Sequence, residues 1–283
     1  MTYDQTRIAW GAAMLAAFFG IISLDVVLDS DLGLGFLGIL VGAMALLEFY
    51  NMAGKKGLTP FRLSGLAAGL ILFLCIWWEV RSHGEFYINP VVPLLILLWF
   101  FLLQGFTIGI DGAINNVAVT LFGVIYVFFL LSFAMALRHL PGKKGLAALI
   151  GVLLMAKITD IGGYFFGRSF GRRKLCPAIS PNKTIEGALF GLFLCVLIGV
   201  GQCLLPQCSF LPMQWAIPFA LLIGVGSISG DLFESMMKRD AGVKDSGDLV
   251  PTFGGVLDII DCILVCLPLG YYFLALAPIE GVK

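Results

Sequence analysis

Ser227, Asp231, Glu234, Ser235 and Lys238 stand at i, i+4, i+7, i+8 and i+11, a spacing that lines all five along one face of a helix. The opposite face is apolar. A lone carboxylate could be explained by an ion pair with Lys238. One pair would not require Ser227, Glu234 and Ser235 as well. Further on, Asp258 and Asp261 share a face at i, i+3. Between the two groups runs a short polar stretch containing Lys238, Arg239, Asp240, Lys244, Asp245, Ser246 and Asp248. Helices joined by so short a stretch are antiparallel neighbours, so Asp231 and Asp258 are expected to face each other. Two facing carboxylates repel, and a hard divalent cation relieves the repulsion. Mg²⁺ takes one or two carboxylates together with phosphate oxygens. The expected metal set is Asp231 and Asp258 with Asp261 nearby, and a second cation is an alternative. Cations beside such a site suit a polyphosphate. The chemistry indicated is metal-assisted phosphoryl or nucleotidyl transfer.

A second constellation lies upstream. Lys157, Asp160 and Tyr164 share a helical face at i, i+3, i+7. A self-neutralising Lys157–Asp160 pair explains two of them equally well. The loop that follows carries Gly167, Arg168, Gly171, Arg172, Arg173 and Lys174, then the string Ser180-Pro181-Asn182-Lys183-Thr184-Ile185-Glu186-Gly187. Glycines let a backbone approach phosphates, and the cations supply counter-charge. Lys183 and Thr184 sit where a helix starts, a place that attracts anions. Arg172, Arg173 and Lys174 alone are better explained as a basic loop flanking a membrane span.

The elements that must hold these groups are membrane helices. Only 13% of the 283 residues are charged, 59% are hydrophobic and the mean hydropathy is +0.98. Soluble domains carry about 25% charge, so this chain requires lipid as its solvent. Nine apolar runs are long enough to be candidate spans: 8–28, 33–50, 62–80, 91–110, 117–137, 145–167, 185–205, 213–237 and 256–277. Backbone groups in lipid have no partner but each other, so all nine are expected to be helices. The fourth is the weakest, because Gln104, Gly105 and Gly109 could shorten it. The first ends without a small-residue cleavage pattern and reads as a retained span. The fold expected is all-α and polytopic, with about nine transmembrane helices. Residues 1–150 form scaffold spans with few polar groups, and 151–283 carry the chemistry. With the N-terminus inside, Lys and Arg are concentrated on the inner side of the chain, as the positive-inside rule requires. The loop with Arg138, Lys143 and Lys144 runs against it. Gly38/Gly42, Gly65/Gly69 and Gly187/Gly191 are expected to mark close helix contacts. A net charge of +0 provides no field for nucleic acid, and the absence of CxxC or His/Cys clusters argues against zinc.

At these residues the sequence resembles the phosphatidate cytidylyltransferase family. The family pattern S-x-x-K-R-x4-K-D-x-G-x-x-x-P-x-H-G-G-x-x-D-R-x-D is matched by Ser235, Lys238-Arg239, Lys244-Asp245, Gly247, Pro251, Gly254-Gly255, Asp258 and Asp261. Gly230-Asp231-x-x-Glu234, the 179–187 string and Asp160-x-x-Gly163-Tyr164 are similar to the family as well. Two positions depart from it. Phe253 stands in place of His and Ile259 in place of Arg, and neither can bond a phosphate or exchange a proton. The resemblance implies CTP and phosphatidate as substrates, Mg²⁺ as cofactor and CDP-diacylglycerol as product. It makes Asp231, Asp258, Lys238 and Arg239 catalytic. Asp160, Tyr164, Ser180, Lys183, Thr184, Glu186, Ser235, Lys244 and Asp245 become substrate-binding. It also implies a homodimer, and the chain's brevity suggests a bacterial inner membrane with the site facing the cytoplasm. The alternatives are a CTP-dependent lipid kinase or a cytidylyltransferase for another lipid phosphate and, from another class, a transporter.

Overall fold

The computed structural model describes residues 3–84, 86–140, 144–205 and 208–276. The helices are α1 (Tyr3–Val27), α2 (Leu32–Lys55), α3 (Arg62–His83), α4 (Val91–Thr107), α5 (Ala113–Val124), α6 (Leu130–Arg138), α7 (Gly145–Phe170), α8 (Ile185–Leu204), α9 (Met213–Asp240) and α10 (Val256–Leu276). A single π-helical turn, Ile125–Phe129, joins α5 to α6, making one continuous span of Ala113–Arg138. Among the described residues eight helices are long and apolar enough to cross a membrane. The protein is thus an all-α polytopic membrane protein. Helix α4 has only 17 residues, the lower limit for a crossing. Its last turn stops where Gln104 bonds the carbonyls of Gly109 and Asp111. Among the described residues the one strand element is a hairpin of β1 (Lys174–Cys176) and β2 (Ser180–Thr184), which the apolar-run reading did not foresee.

The chain packs as two interleaved units. One comprises Met1–Trp78, Tyr87–Met135 and Ala241–Ile259; the other comprises Glu79–Phe86, Ala136–Asp240 and Ile260–Lys283. The division expected near residue 150 concerned where polar groups lie along the sequence, whereas packing reuses the 241–259 stretch in the first unit.

In the first unit, large rings fill hollows left by glycines. A Cβ on Gly42 would lie 2.7 Å from the Phe128 ring, and one on Gly69 would meet the same ring. Phe128 sits in the π turn, where an i→i+5 bond shifts the register of the helix. Tyr50 packs against Gly65 and Gly123 and donates its hydroxyl to the carbonyl of Thr120 at 2.9 Å. The glycine pairs 38/42 and 65/69 therefore mark contact seams, as their spacing predicted.

In the second unit α7, α8 and α9 pack side by side. A Cβ on Gly187 would lie 2.5 Å from the carbonyl oxygen of Gly163, and one on Gly191 would meet the carbonyl oxygen of Thr159. Without side chains the two backbones come close enough for dispersion contact, which drives helix association in lipid. Gly201, on the same helix, has nothing within 4 Å of such a Cβ. Gly191→Ala is therefore expected to destabilise the protein by about 1–3 kcal/mol through overpacking. Gly201→Ala is expected to be neutral or slightly stabilising, since alanine favours helix. Melting of the detergent-solubilised variants checks the pair, and equal melting temperatures would contradict the seam. The apolar side chains Phe106, Ile110 and Ile114 are almost fully exposed, a surface that suits lipid and would be a liability in water.

Candidate active site

Helix α9 has 28 residues, about 42 Å at 1.5 Å per residue, longer than the ~30 Å hydrocarbon core. Helix α7, with 26 residues, also exceeds it. Since α8 runs back between them, the C-terminal ends of α7 and α9 and the N-terminal end of α8 meet at one end of the unit. The hairpin closes that end. There the second unit encloses a chamber of about 610 Å³, within the range of small-molecule sites.

The hairpin is clamped to the start of α8. Lys174 pairs with Thr184 and Cys176 with Ser180 across the strands. The Thr184 hydroxyl caps α8 by accepting the amide of Gly187 at 3.2 Å. Glu186 accepts the backbone amides of Arg172 at 3.0 Å and Arg173 at 3.1 Å. Its carboxylate thus organises the loop and does not line the chamber. Gly167 and Gly171 line the chamber, and Gly167 also has a packing use. A Cβ on Gly167 would lie 2.8 Å from Thr184 Oγ1, so Gly167 seats the start of α8 against α7. Holding the helix end there is what exposes the hairpin's polar groups to the chamber.

Six of the residues expected to be catalytic, metal-holding or substrate-binding line this chamber: Asp160, Tyr164, Ser180, Lys183, Thr184 and Asp231. Lys183 pairs with Asp231 Oδ2. Ser235 donates to Asp231 Oδ1 at 3.2 Å, which fixes the carboxylate from one turn further along. Asp160 lies within hydrogen-bonding reach of Asp231 and within electrostatic reach of Lys157 and Lys183. Asp261, buried on α10, faces the same group of charges. Sequence reasoning paired Asp231 with Asp258 and put Asp261 nearby; within the second unit the carboxyls beside Asp231 are Asp160 and Asp261. Arg168, Lys174 and Asn182, which the sequence placed in the loop and its following string without a role in the site, line the chamber too. For Lys174 the missing signal was the hairpin, because a strand position opposite Thr184 cannot be read from a basic loop.

Two expected phosphate ligands have other partners. The ammonium of Lys238 pairs with Glu234, whose side chain is fully buried. Arg239 Nε donates to the carbonyl of Ile179 at 3.3 Å, tying the end of α9 to the hairpin turn. Ser227 donates to the carbonyl of Ala156 at 2.8 Å, joining α9 to α7.

Lys244, Asp245 and Asp258 belong to the first unit. Lys244 and Asp245 are exposed. Asp258 Oδ2 accepts the amide and hydroxyl of Ser246 and the amide of Gly255, at 2.8, 2.7 and 2.8 Å. That oxygen is committed to capping its own helix. The turn before it closes through Gly254 in the left-handed region, φ +92°. Phe253 lies in this turn, and a methyl on Gly11 of α1 would sit 3.6 Å from its ring. An apolar contact therefore occupies the position where the family pattern has His.

Among the described residues no group of three or more His, Cys, Asp or Glu is arranged to hold a metal. Two carboxyls in mutual reach, Asp160 and Asp231, nonetheless fit the one-or-two-carboxylate requirement of Mg²⁺ when phosphates and water supply the other ligands.

The chain is similar to known proteins over most of its length. The cytidylyltransferase family matches over residues 5–277. The chain is 35% identical over 262 residues to the phosphatidate cytidylyltransferase of Synechocystis sp., covering 84% of this chain and 86% of that one. To the Bacillus subtilis phosphatidate cytidylyltransferase it is 32% identical over 245 residues, covering 84% and 88%. It is also 37% identical over 169 residues to the uncharacterized protein YnbB of Escherichia coli, covering 58% and 55%.

Proposed function

The chain belongs to the cytidylyltransferase family, and from that membership we propose that it joins CTP to phosphatidate, forming CDP-diacylglycerol and pyrophosphate. The observation that carries this reading to particular residues is the chamber. It brings three cations, Arg168, Lys174 and Lys183, to the same walls as Asp160 and Asp231.

A phosphate oxygen of phosphatidate attacks the α-phosphorus of CTP. The new P–O bond forms as the α–β phosphoanhydride breaks, and pyrophosphate leaves with the electron pair. The nucleophile is already an anion at neutral pH, so no strong general base is needed. This is why Phe253 in place of His is compatible with the reaction. Catalysis rests on positioning and charge neutralisation. Lys183 is paired with Asp231 before substrate arrives and then serves a phosphate. Arg168 and Lys174 hold the remaining phosphate charge. Ser180, Tyr164 and Asn182 supply hydroxyl and amide contacts along the chamber wall. Ser235 keeps the Asp231 carboxylate oriented. Asp160 and Asp231, with Asp261 near them, would hold Mg²⁺, alone or with a second cation, and the metal would neutralise phosphate charge.

The chamber end of the second unit carries Arg168, Arg172, Arg173, Lys174 and Lys183, which supports a cytoplasmic orientation in a bacterial inner membrane. A homodimer, implied by the family resemblance, would hold two complete chambers, since every lining residue comes from one unit of one chain. Product analysis tests the reaction. Pyrophosphate and a CDP-lipid are expected in equal amounts, and both are expected to disappear when EDTA removes divalent cations. CDP with a phosphorylated lipid would instead show a lipid kinase. Undiminished turnover in EDTA would remove Mg²⁺ from the account.

A further inference from the structure

One buried carboxylate in the first unit lies outside every motif described above. Glu48 stands in the apolar helix α2 and is 8% exposed. Its Oε1 accepts the amide of Val256 at 2.9 Å, and its Oε2 accepts the amide of Leu257 at 2.8 Å. Ser246 Oγ lies 3.1 Å from Glu48 Oε2 and 2.7 Å from Asp258 Oδ2. A hydroxyl has one proton, so it serves one carboxylate at a time, and the shorter distance favours Asp258. The first amides of a helix have no partner within it, and its N-terminus attracts negative charge. At α10 the amides of Gly255, Val256 and Leu257 are all taken, the first by Asp258 and the other two by Glu48. The chain is moulded closely around this carboxylate. A Cβ on Gly247 would lie 2.8 Å from Glu48 Oε1, and one on Gly255 would meet Oε2.

We propose that Glu48 is a positioning residue: it fixes the backbone of residues 244–258 and thereby sets the placement of Lys244, Asp245 and Asp258. It does so from a helix 208 residues upstream of the amide it holds. Three features separate this role from general stabilisation. Charge in an apolar helix is costly unless it is paired. The partners of Glu48 are all in the motif stretch. Two motif glycines are required by its presence. Lys244, Asp245 and Asp258 are the residues of this stretch that the family resemblance makes substrate- or metal-binding, so their placement bears on turnover. The catalytic consequence rests on the cytidylyl-transfer reading; the structural one does not.

The test uses the full-length protein in detergent with Glu48→Gln, which keeps the size but turns an amide donor towards a backbone donor, and Ser246→Ala, which removes only the hydroxyl. Hydrogen exchange is followed on peptides covering 244–258, and turnover per folded molecule is measured well below each melting temperature. For Glu48→Gln we expect faster exchange confined to 244–258. We also expect a fall in kcat on the order of 10- to 100-fold, with KM for CTP little changed. Ser246→Ala is expected to show the same pattern in smaller degree, and it decides the matter should Glu48→Gln fail to fold. Wild-type exchange in this stretch, or unchanged kcat in the folded fraction, would overturn the proposal. If the unsubstituted protein formed no CDP-lipid, the functional reading would fall, and the exchange data would still decide whether Glu48 holds the stretch.

Discussion

Replacing Asp231 with asparagine is expected to lower turnover by roughly 10²- to 10³-fold or more while leaving the protein folded. The amide keeps the size of the side chain and can still accept from Ser235 Oγ, which holds the carboxylate at 3.2 Å. What is lost is the negative charge that meets Lys183 and lies beside Asp160. Lys183 is 23% exposed and opens into the chamber, so water can solvate it once its partner is neutral. The pair is partly exposed and borders the chamber, so the melting temperature should move only slightly. The combination of intact folding and lost turnover identifies the site. Near-normal turnover would remove Asp231 from the chemistry, and unfolding would make it a structural ion pair.

The second large effect is expected at Glu234, and there it falls on stability. Its side chain is fully buried, and that of Lys238 is 12% exposed. Glu234→Ala takes the paired carboxylate from a largely buried ammonium. Breaking such a pair by removing one partner typically destabilises by about 3–5 kcal/mol, enough to deplete folded protein. Removing both charges, as in Glu234→Met with Lys238→Met, should recover most of that loss, because well-packed apolar side chains can replace a buried pair. Thermal melting of the two variants checks the sign. Turnover of the double variant then assigns Lys238. We expect turnover to persist, since Lys238 does not line the chamber. A folded but inactive double variant would return Lys238 to the substrate phosphates, as the family resemblance has it.

The helices were readable because lipid imposes one rule on every backbone group, and apolar length alone reveals it. The polar face of α9 was readable for a related reason: polar groups repeated at helical spacing within an apolar run require a common destination. Ser227, Glu234 and Ser235 are indeed all buried. The hairpin was not readable. Its strands span three and five residues, include Pro181 and show no apolar alternation; they are held by Glu186 and by pairing at the start of α8. Without it, Lys174 and Asn182 could not be placed in the chamber. Glu48 was invisible for the opposite reason. A single acid in an apolar helix shows no pattern, and its partners are backbone amides some two hundred residues away. The capping of α10 by Asp258 was not readable either, because it depends on the turn through Gly254 and on the amide and hydroxyl of Ser246.

Incorporation of label from α-labelled CTP into lipid tests the account most directly. The purified protein would be incubated with phosphatidate and Mg²⁺ beside its Asp231→Asn variant and an active relative. The account predicts label in the lipid phase for the unsubstituted protein and almost none for the variant. Label remaining entirely in the aqueous phase, while the relative transfers it, would contradict cytidylyl transfer to phosphatidate by this chain.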